Sequence, residues 1–312
     1  MLGRIVEICG EGRRLSLYRG FLEISGPEGL LGQVPLDDIE AVIASSPAIS
    51  YTNQALSALA ERGAPVVICG VNFTPTAYIL SVNGHHTQGA RFEAQAEATQ
   101  PTRKRLWAEI VKAKIEAQAA ALKRSGVNAK PLELLVSRVR SGDPDNIEAQ
   151  AAQKYLPAML GSGFKRDRDS EGLNSFLNYG YTVLRAGTAR SIVAAGLHPS
   201  LGLHHKSNGS ALRLADDLME PFRPAVDLIA RAMAEENCAT LEPENKRRLA
   251  AVLHADFRTS EGISPLSTVM TRLAQSLAQV FQKERRSLTF PISALPLTAS
   301  ESAIAGAMAP AE

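Results

Sequence analysis

The sequence predicts an α+β fold: a small N-terminal β-rich domain, a larger all-α C-terminal domain and a flexible C-terminal tail. Three observations carry this. Residues 1–88 alternate polar and apolar in short runs broken by glycine, the mark of half-buried strands. From Thr102 onward, apolar residues recur at helical spacing. The end of the chain, 291–312, is rich in Ala, Ser and Pro and has no core pattern. The stretch 89–101 is polar and weakly patterned and reads as a linker, so the helical domain spans 102–290.

The elements follow in order. Arg4–Ile8, Arg14–Arg19 and Leu22–Ile24 read as strands, with Gly10, Gly12, Gly20, Gly26 and Gly29 at the turns. Val42-Ile43 and Val66–Cys69 are short apolar runs that suit central strands. Between them lies a helix, with Thr52 as N-cap and Gly63 just past its end. Asn83-Gly84 is a turn signal. Thr102 caps a long helix to Lys123, and further helices are expected over Lys130–Arg140, Asp145–Leu160 and Leu173–Ala195. Ala211–Glu236 reads as one helix. Pro243 opens another, and Ser264-Pro265 begins the last, running to Arg286.

Composition narrows the function. The chain of 312 residues is 45% hydrophobic and 21% charged, enough for a sizeable core. It has no apolar run near the roughly 20 residues that span a bilayer. Its N-terminus lacks a secretory h-region, and its three cysteines (Cys9, Cys69, Cys238) are odd in number and scattered, which points to the cytoplasm. Net charge is +2, unevenly spread: residues 1–90 hold five Lys/Arg against eight Asp/Glu, the rest 29 against 24. A basic excess in the helical part suits a polyanionic ligand. At 5% aromatic content the chain does not support a stacking platform for single strands. There is no Walker loop and no GxSxG elbow.

The chemistry concentrates between His204 and Pro224. His204 and His205 sit in a glycine-flanked loop, and Asp216, Asp217 and Glu220 follow on the expected helix. Carboxylates this close repel unless a cation sits among them. Hard oxygen donors with an imidazole suit Mg²⁺ or Mn²⁺. The stripe Asp216, Glu220, Arg223, Asp227 reads equally as a solvated face of Glu–Arg pairs. Pro221 and Pro224 inside the helix favour a functional reason. Adjacent histidines point different ways, so one of the pair at most faces a given site. Glu148 is the other candidate. Asp145 and Glu148 match a capping box, and spacing alone does not separate a cap from a ligand. Lys165, Arg166 and Arg168 follow the Gly161-Ser-Gly163 break and suit phosphate contacts.

Several segments resemble one family, the CRISPR-associated integrases (Cas one). Val34–Ile43 (VPLDDIEAVI) and Leu59–Cys69 (LAERGAPVVIC) are similar to its N-terminal β-domain. Ile147–Tyr155 (IEAQAAQKY) resembles its glutamate helix, with Ala149 where glycine usually follows the glutamate. Leu173–Tyr181 (LNSFLNYGY) resembles its helical core motif. His198–Gly202 (HPSLG) through His205, then Asp217–Pro224 (DLMEPFRP), resembles its signature. The compact length and Gly3–Val6 are similar to the form in type II systems.

The resemblance implies Glu148, His205 and Glu220 as catalytic metal ligands for Mg²⁺ or Mn²⁺. Asp217 is the alternative third ligand, or acts through water or in DNA positioning, and Arg223 pairs with these acids or touches phosphate. It implies capture of a short foreign double-stranded DNA and its insertion into a CRISPR repeat by attack of a DNA 3′-hydroxyl on a phosphodiester. It implies a homodimer, the small Cas two protein and other type II Cas proteins as partners, with the β-rich domain serving assembly. Two other functions compete: a stand-alone hydrolytic metal-dependent endonuclease, and a non-catalytic DNA-holding subunit.

Overall fold

The computed structural model describes residues 4–70, 75–167, 170, 172–205, 211–238 and 240–298. The N-terminal part holds strands β1 (Arg4–Ile8), β2 (Arg13–Tyr18), β3 (Phe21–Gly26), β4 (Gly29–Pro35), β5 (Ile39–Ala44) and β6 (Ile49–Tyr51). Helix α1 (Asn53–Glu61), β7 (Val66–Cys69) and β8 (Pro75–Ile79) complete it. One sheet has the order β1-β5-β7-β8, parallel through its first three strands. The other has the order β4-β3-β2-β6. Thr52 caps α1 as expected, its hydroxyl accepting from the Ala55 amide at 3.2 Å, and Gly63 follows with φ +67°.

All six residues of β5 are buried. Val42 faces a small core with Leu15, Leu22, Leu59 and Val66, closed by α1 and the second sheet. Ala41 and Ile43 face the other way, into the large helical core with Trp107, Leu184 and Leu277. The β1-β5-β7-β8 sheet is thus a wall shared by two cores, which is why its central strands lack alternation.

The helical part begins earlier than the sequence suggests. The segment expected as a linker carries α2 (Gln88–Ala96), and Thr99 rather than Thr102 caps α3 (Gln100–Arg124). Then come α4 (Lys130–Val136), α5 (Ile147–Leu160) and α6 (Leu173–Ala194). The expected single helix over 211–236 is instead α7 (Arg213–Leu218), a 3₁₀ turn Glu220–Phe222 and α8 (Arg223–Glu235). Pro221 and Pro224 lack the N–H groups that would continue the ladder, so the α-helix is interrupted over residues 219–222. After α9 (Pro243–Ala250), strands β9 (Asp256–Thr259) and β10 (Gly262–Pro265) form an antiparallel hairpin, so the helical part is not all-α. Helix α10 is Leu266–Phe281, ending before the expected Arg286. The expected tail does not begin at Pro291: Leu295 is buried, and the Ile292 and Leu297 amides donate to β9 carbonyls. Residues 299–312 lie outside the described residues.

Glu40 on β5 is 4% exposed, and burial raises its carboxyl from 4.5 to about 7, against the opposing pull of Arg190. The folded protein therefore holds this proton more tightly than the unfolded chain. Stability is lost as pH rises from about 4.5 through about 7, and the loss is complete above that. Glu40→Gln is expected to be nearly neutral near pH 5 and to stabilise by about 2–3 kcal/mol near pH 8. Urea unfolding of both proteins at the two pH values measures this, and an equal difference at both would refute it.

Candidate metal and DNA-processing site

Helix α5 places Glu148. Its start is held by Asp143, which accepts from the Ile147 and Glu148 amides at 2.9 Å each. Asp145, the expected cap partner, pairs with Arg140 instead. The capping-box reading of Asp145 with Glu148 is overturned, because Asp143 already satisfies the free amides. Glu148 is released from the helix end and its Oε1 lies 2.5 Å from Lys114 Nζ.

The proline-broken turn places Glu220. Its Oε2 is 2.6 Å from the same Lys114 ammonium, and its Oε1 is 3.0 Å from Arg223 Nη2. Burial opposes ionisation of Glu220, but Arg223 and Lys114 outweigh it and hold the carboxyl below its ordinary range. Lys114 is likewise pulled down by burial and held up, on balance, by Glu220 and Glu148. Arg223 also lies over the Tyr181 ring at 4.8 Å. The Tyr181 and Tyr155 hydroxyls donate to the buried Asp227 at 2.5 and 2.8 Å. Burial raises Asp227 to about 6 against those hydrogen bonds.

The histidine loop is organised by Asp217, which is 0% exposed. Its Oδ2 accepts from the amides of Leu203 (2.6 Å) and His204 (3.2 Å). Its Oδ1 accepts from the His205 amide (3.2 Å) and faces His205 Nδ1 at 2.6 Å. That contact, working against burial, raises the His205 pKa. It also fixes the ring so that Nε2 is the nitrogen left for a ligand. His204 turns away and stacks on Trp107, ring centroids 4.3 Å apart. Asp216 does not join the cluster, pairing with Arg185 at 2.8 Å.

Arg166 reaches the edge of this arrangement, its guanidinium 5.7 Å from the centroid of the Tyr181 ring on which Arg223 also lies. Arg166 donates to the Asn174 and Asn178 side chains, and the Lys165 carbonyl accepts from Asn174. Arg168 lies outside the described residues. Sequence reasoning missed Asp143, Trp107 and Lys114. Lys114 had a signal: it falls on the apolar stripe of α3 with Ile110, Val111, Ala117 and Ala121.

The donors fit a hard divalent cation. Two carboxylates on separate elements converge on one positive centre, with an imidazole held by a carboxylate beside them. Lys114 Nζ occupies the gap between the two carboxylates. Among the described residues no three donors close on a common point, so the ammonium is part of the arrangement as it stands.

The description "CRISPR associated protein Cas1" matches residues 6–259. The CRISPR-associated endonuclease Cas1 of Neisseria meningitidis serogroup C (strain 8013) is 38% identical over 291 residues, 92% of this chain and 95% of that protein. A casposase bound to integration product shares the fold with a TM-score of 0.79 at 19% identity, covering 99% of each chain. The Cas6-RT-Cas1–Cas2 complex contains a chain matching 92% of this one, which spans 36% of that chain, with a TM-score of 0.72 and 19% identity. The matches over most of the chain place it among the CRISPR-associated proteins. The chain belongs to the Cas1 family.

Proposed function

We propose that this protein joins short foreign double-stranded DNA to a CRISPR repeat by metal-dependent strand transfer, a DNA 3′-hydroxyl attacking a repeat phosphodiester. The observation that carries the reading is the convergence of Glu148 and Glu220 on one cation beside a carboxylate-held His205. Glu148, Glu220 and His205 Nε2 would hold Mg²⁺ or Mn²⁺, with Asp217 as the group that orients His205. A bound ion of this kind polarises the phosphoryl group and lowers the pKa of the attacking hydroxyl.

The chain's own residues do the rest. Arg223, stacked on Tyr181 and paired with Glu220, fixes the carboxylate that a ligand role requires. Trp107 holds the histidine loop from behind through His204. Lys165 and Arg166, with Arg168, are assigned to phosphate contacts along the DNA. We take 102–290 as the catalytic unit and 1–88 as the assembly unit, acting as a homodimer with Cas2 and other type II Cas proteins in the cytoplasm. Among the described residues, no helix is long and apolar enough to cross a membrane.

The test is strand transfer of a 3′-hydroxyl duplex into a supercoiled plasmid carrying a repeat, with and without Cas2. Covalent joining of duplex to repeat is expected, dependent on Mg²⁺ or Mn²⁺. Water as nucleophile despite a supplied 3′-hydroxyl would make the protein a hydrolytic endonuclease. DNA binding with neither joining nor cleavage would make it a holding subunit.

A further inference from the structure

Lys114 is a buried lysine with a specific position. Its side chain is 10% exposed, and its ammonium contacts Glu148 and Glu220 at 2.5 and 2.6 Å. Arg223 takes the other oxygen of Glu220, so the two carboxylates are in direct contact with two cations. A Mg²⁺ or Mn²⁺ ion held by both of these carboxylates would compete with the ammonium for the gap between them. The two cations exclude each other by size and by charge. Lys114 is held only by these two carboxylate oxygens, one from each glutamate, so a second cation that takes both oxygens replaces every close contact the ammonium makes in the gap. A lysine suits such exchange: it is a point charge on a flexible four-carbon stem, whereas arginine would lock a planar fork in place.

We propose that Lys114 is the resident cation of this site and that a divalent metal enters by exchange, the ammonium leaving the gap between Glu148 and Glu220 as the ion arrives. The proposal rests on Glu148 and Glu220 being metal ligands. It carries a consequence for substrate. Exchange brings two positive charges into the gap while the tethered ammonium stays near, so the site becomes more positive than in its resting state. A phosphodiester restores the balance. Metal and DNA phosphate therefore bind cooperatively, and by linkage each raises the affinity of the other equally. Trp107 lies two turns before Lys114 on α3, so one face of this helix supports both the histidine loop and the exchangeable cation.

The probe is Mn²⁺ alone, its free fraction read by electron paramagnetic resonance on the full chain. Lys114→Met and Lys114→Gln are each expected to bind Mn²⁺ about tenfold more tightly than wild type, the size of an ordinary coupling between sites. Adding Glu148→Gln should erase the gain. A short duplex should tighten Mn²⁺ binding to wild type more than to either variant. In wild type with ¹⁵N-labelled lysine side chains, two solvent-protected ammonium signals are expected, from Lys114 and from Lys246, which pairs with Glu7, and Mg²⁺ should remove one of them. This arm needs no variant to fold. Unchanged or weaker Mn²⁺ binding in both variants, with Glu148→Gln still abolishing it in wild type, would refute exchange and leave the ligand assignment standing. Survival of both protected signals in saturating Mg²⁺ would do the same. Failure of wild type and variants alike to bind Mn²⁺ would overturn the metal reading and the exchange with it.

Discussion

Glu148→Ala is expected to reduce strand transfer by at least about a hundredfold, a loss in the range seen when one preorganised electrostatic group is removed from a catalytic centre. Fold and DNA affinity should survive. Glu148 is partly exposed, and Asp143, not Glu148, caps α5, so the helix keeps its start. Lys114 and Arg223 still neutralise Glu220, so no buried charge is stranded. Most DNA affinity comes from phosphate contacts spread over the surface, which a single carboxylate does not supply. His205→Ala should behave alike in transfer, because Asp217 keeps its three amide donors without the ring. Rates of joining, with filter binding and thermal unfolding on the same preparations, separate the effects. Normal integration by either variant in Mg²⁺ or Mn²⁺ would remove that residue from the site.

Much of this arrangement was legible in the chain. The β-rich start and helical remainder follow from a change of apolar period, and Pro221 and Pro224 flagged the place where Glu220 turns inward. What periodicity could not supply was long-range. The β9–β10 hairpin is too short to outweigh the helical pattern around it. The helix α2 is nearly free of apolar periodicity and is held instead by polar anchors such as Gln95 on the His198 and Leu201 carbonyls. At Asp145-x-x-Glu148 a sound local rule pointed to the wrong acid. Asp143, with left-handed φ, folds back to take the amides first. Lys114 was readable only as a misfit, one charge on an apolar stripe. Its partners lie 34 and 106 residues away along the sequence, and the fold alone brings them to it.

Asp217→Asn should be nearly as damaging as loss of a ligand, for a different reason. The carboxylate, itself fully buried, accepts four N–H groups with two oxygens. An asparagine of the same shape has one oxygen. Its NH₂ would face N–H donors wherever it points, leaving at least one pair unsatisfied. The cost is about 2–4 kcal/mol of stability, as for a buried charged group that loses its hydrogen-bond partners. The chemistry suffers separately. If the amide oxygen stays on the Leu203 and His204 amides, the NH₂ faces His205 Nδ1, which must then accept. The ring proton moves to Nε2, the nitrogen a metal needs bare. Changes to a group that orients a ligating histidine typically cost 10–100-fold in metal affinity or activity. Mn²⁺ affinity of Asp217→Asn should therefore fall by about that factor, measured at a temperature where the variant is fully folded. Were Asp217 itself the third ligand and Glu220 a bystander, Glu220→Gln would leave Mn²⁺ binding intact. The expected result is the reverse: both variants bind poorly, and only Asp217→Asn also loosens the loop at residues 203–205, read as faster amide hydrogen exchange there.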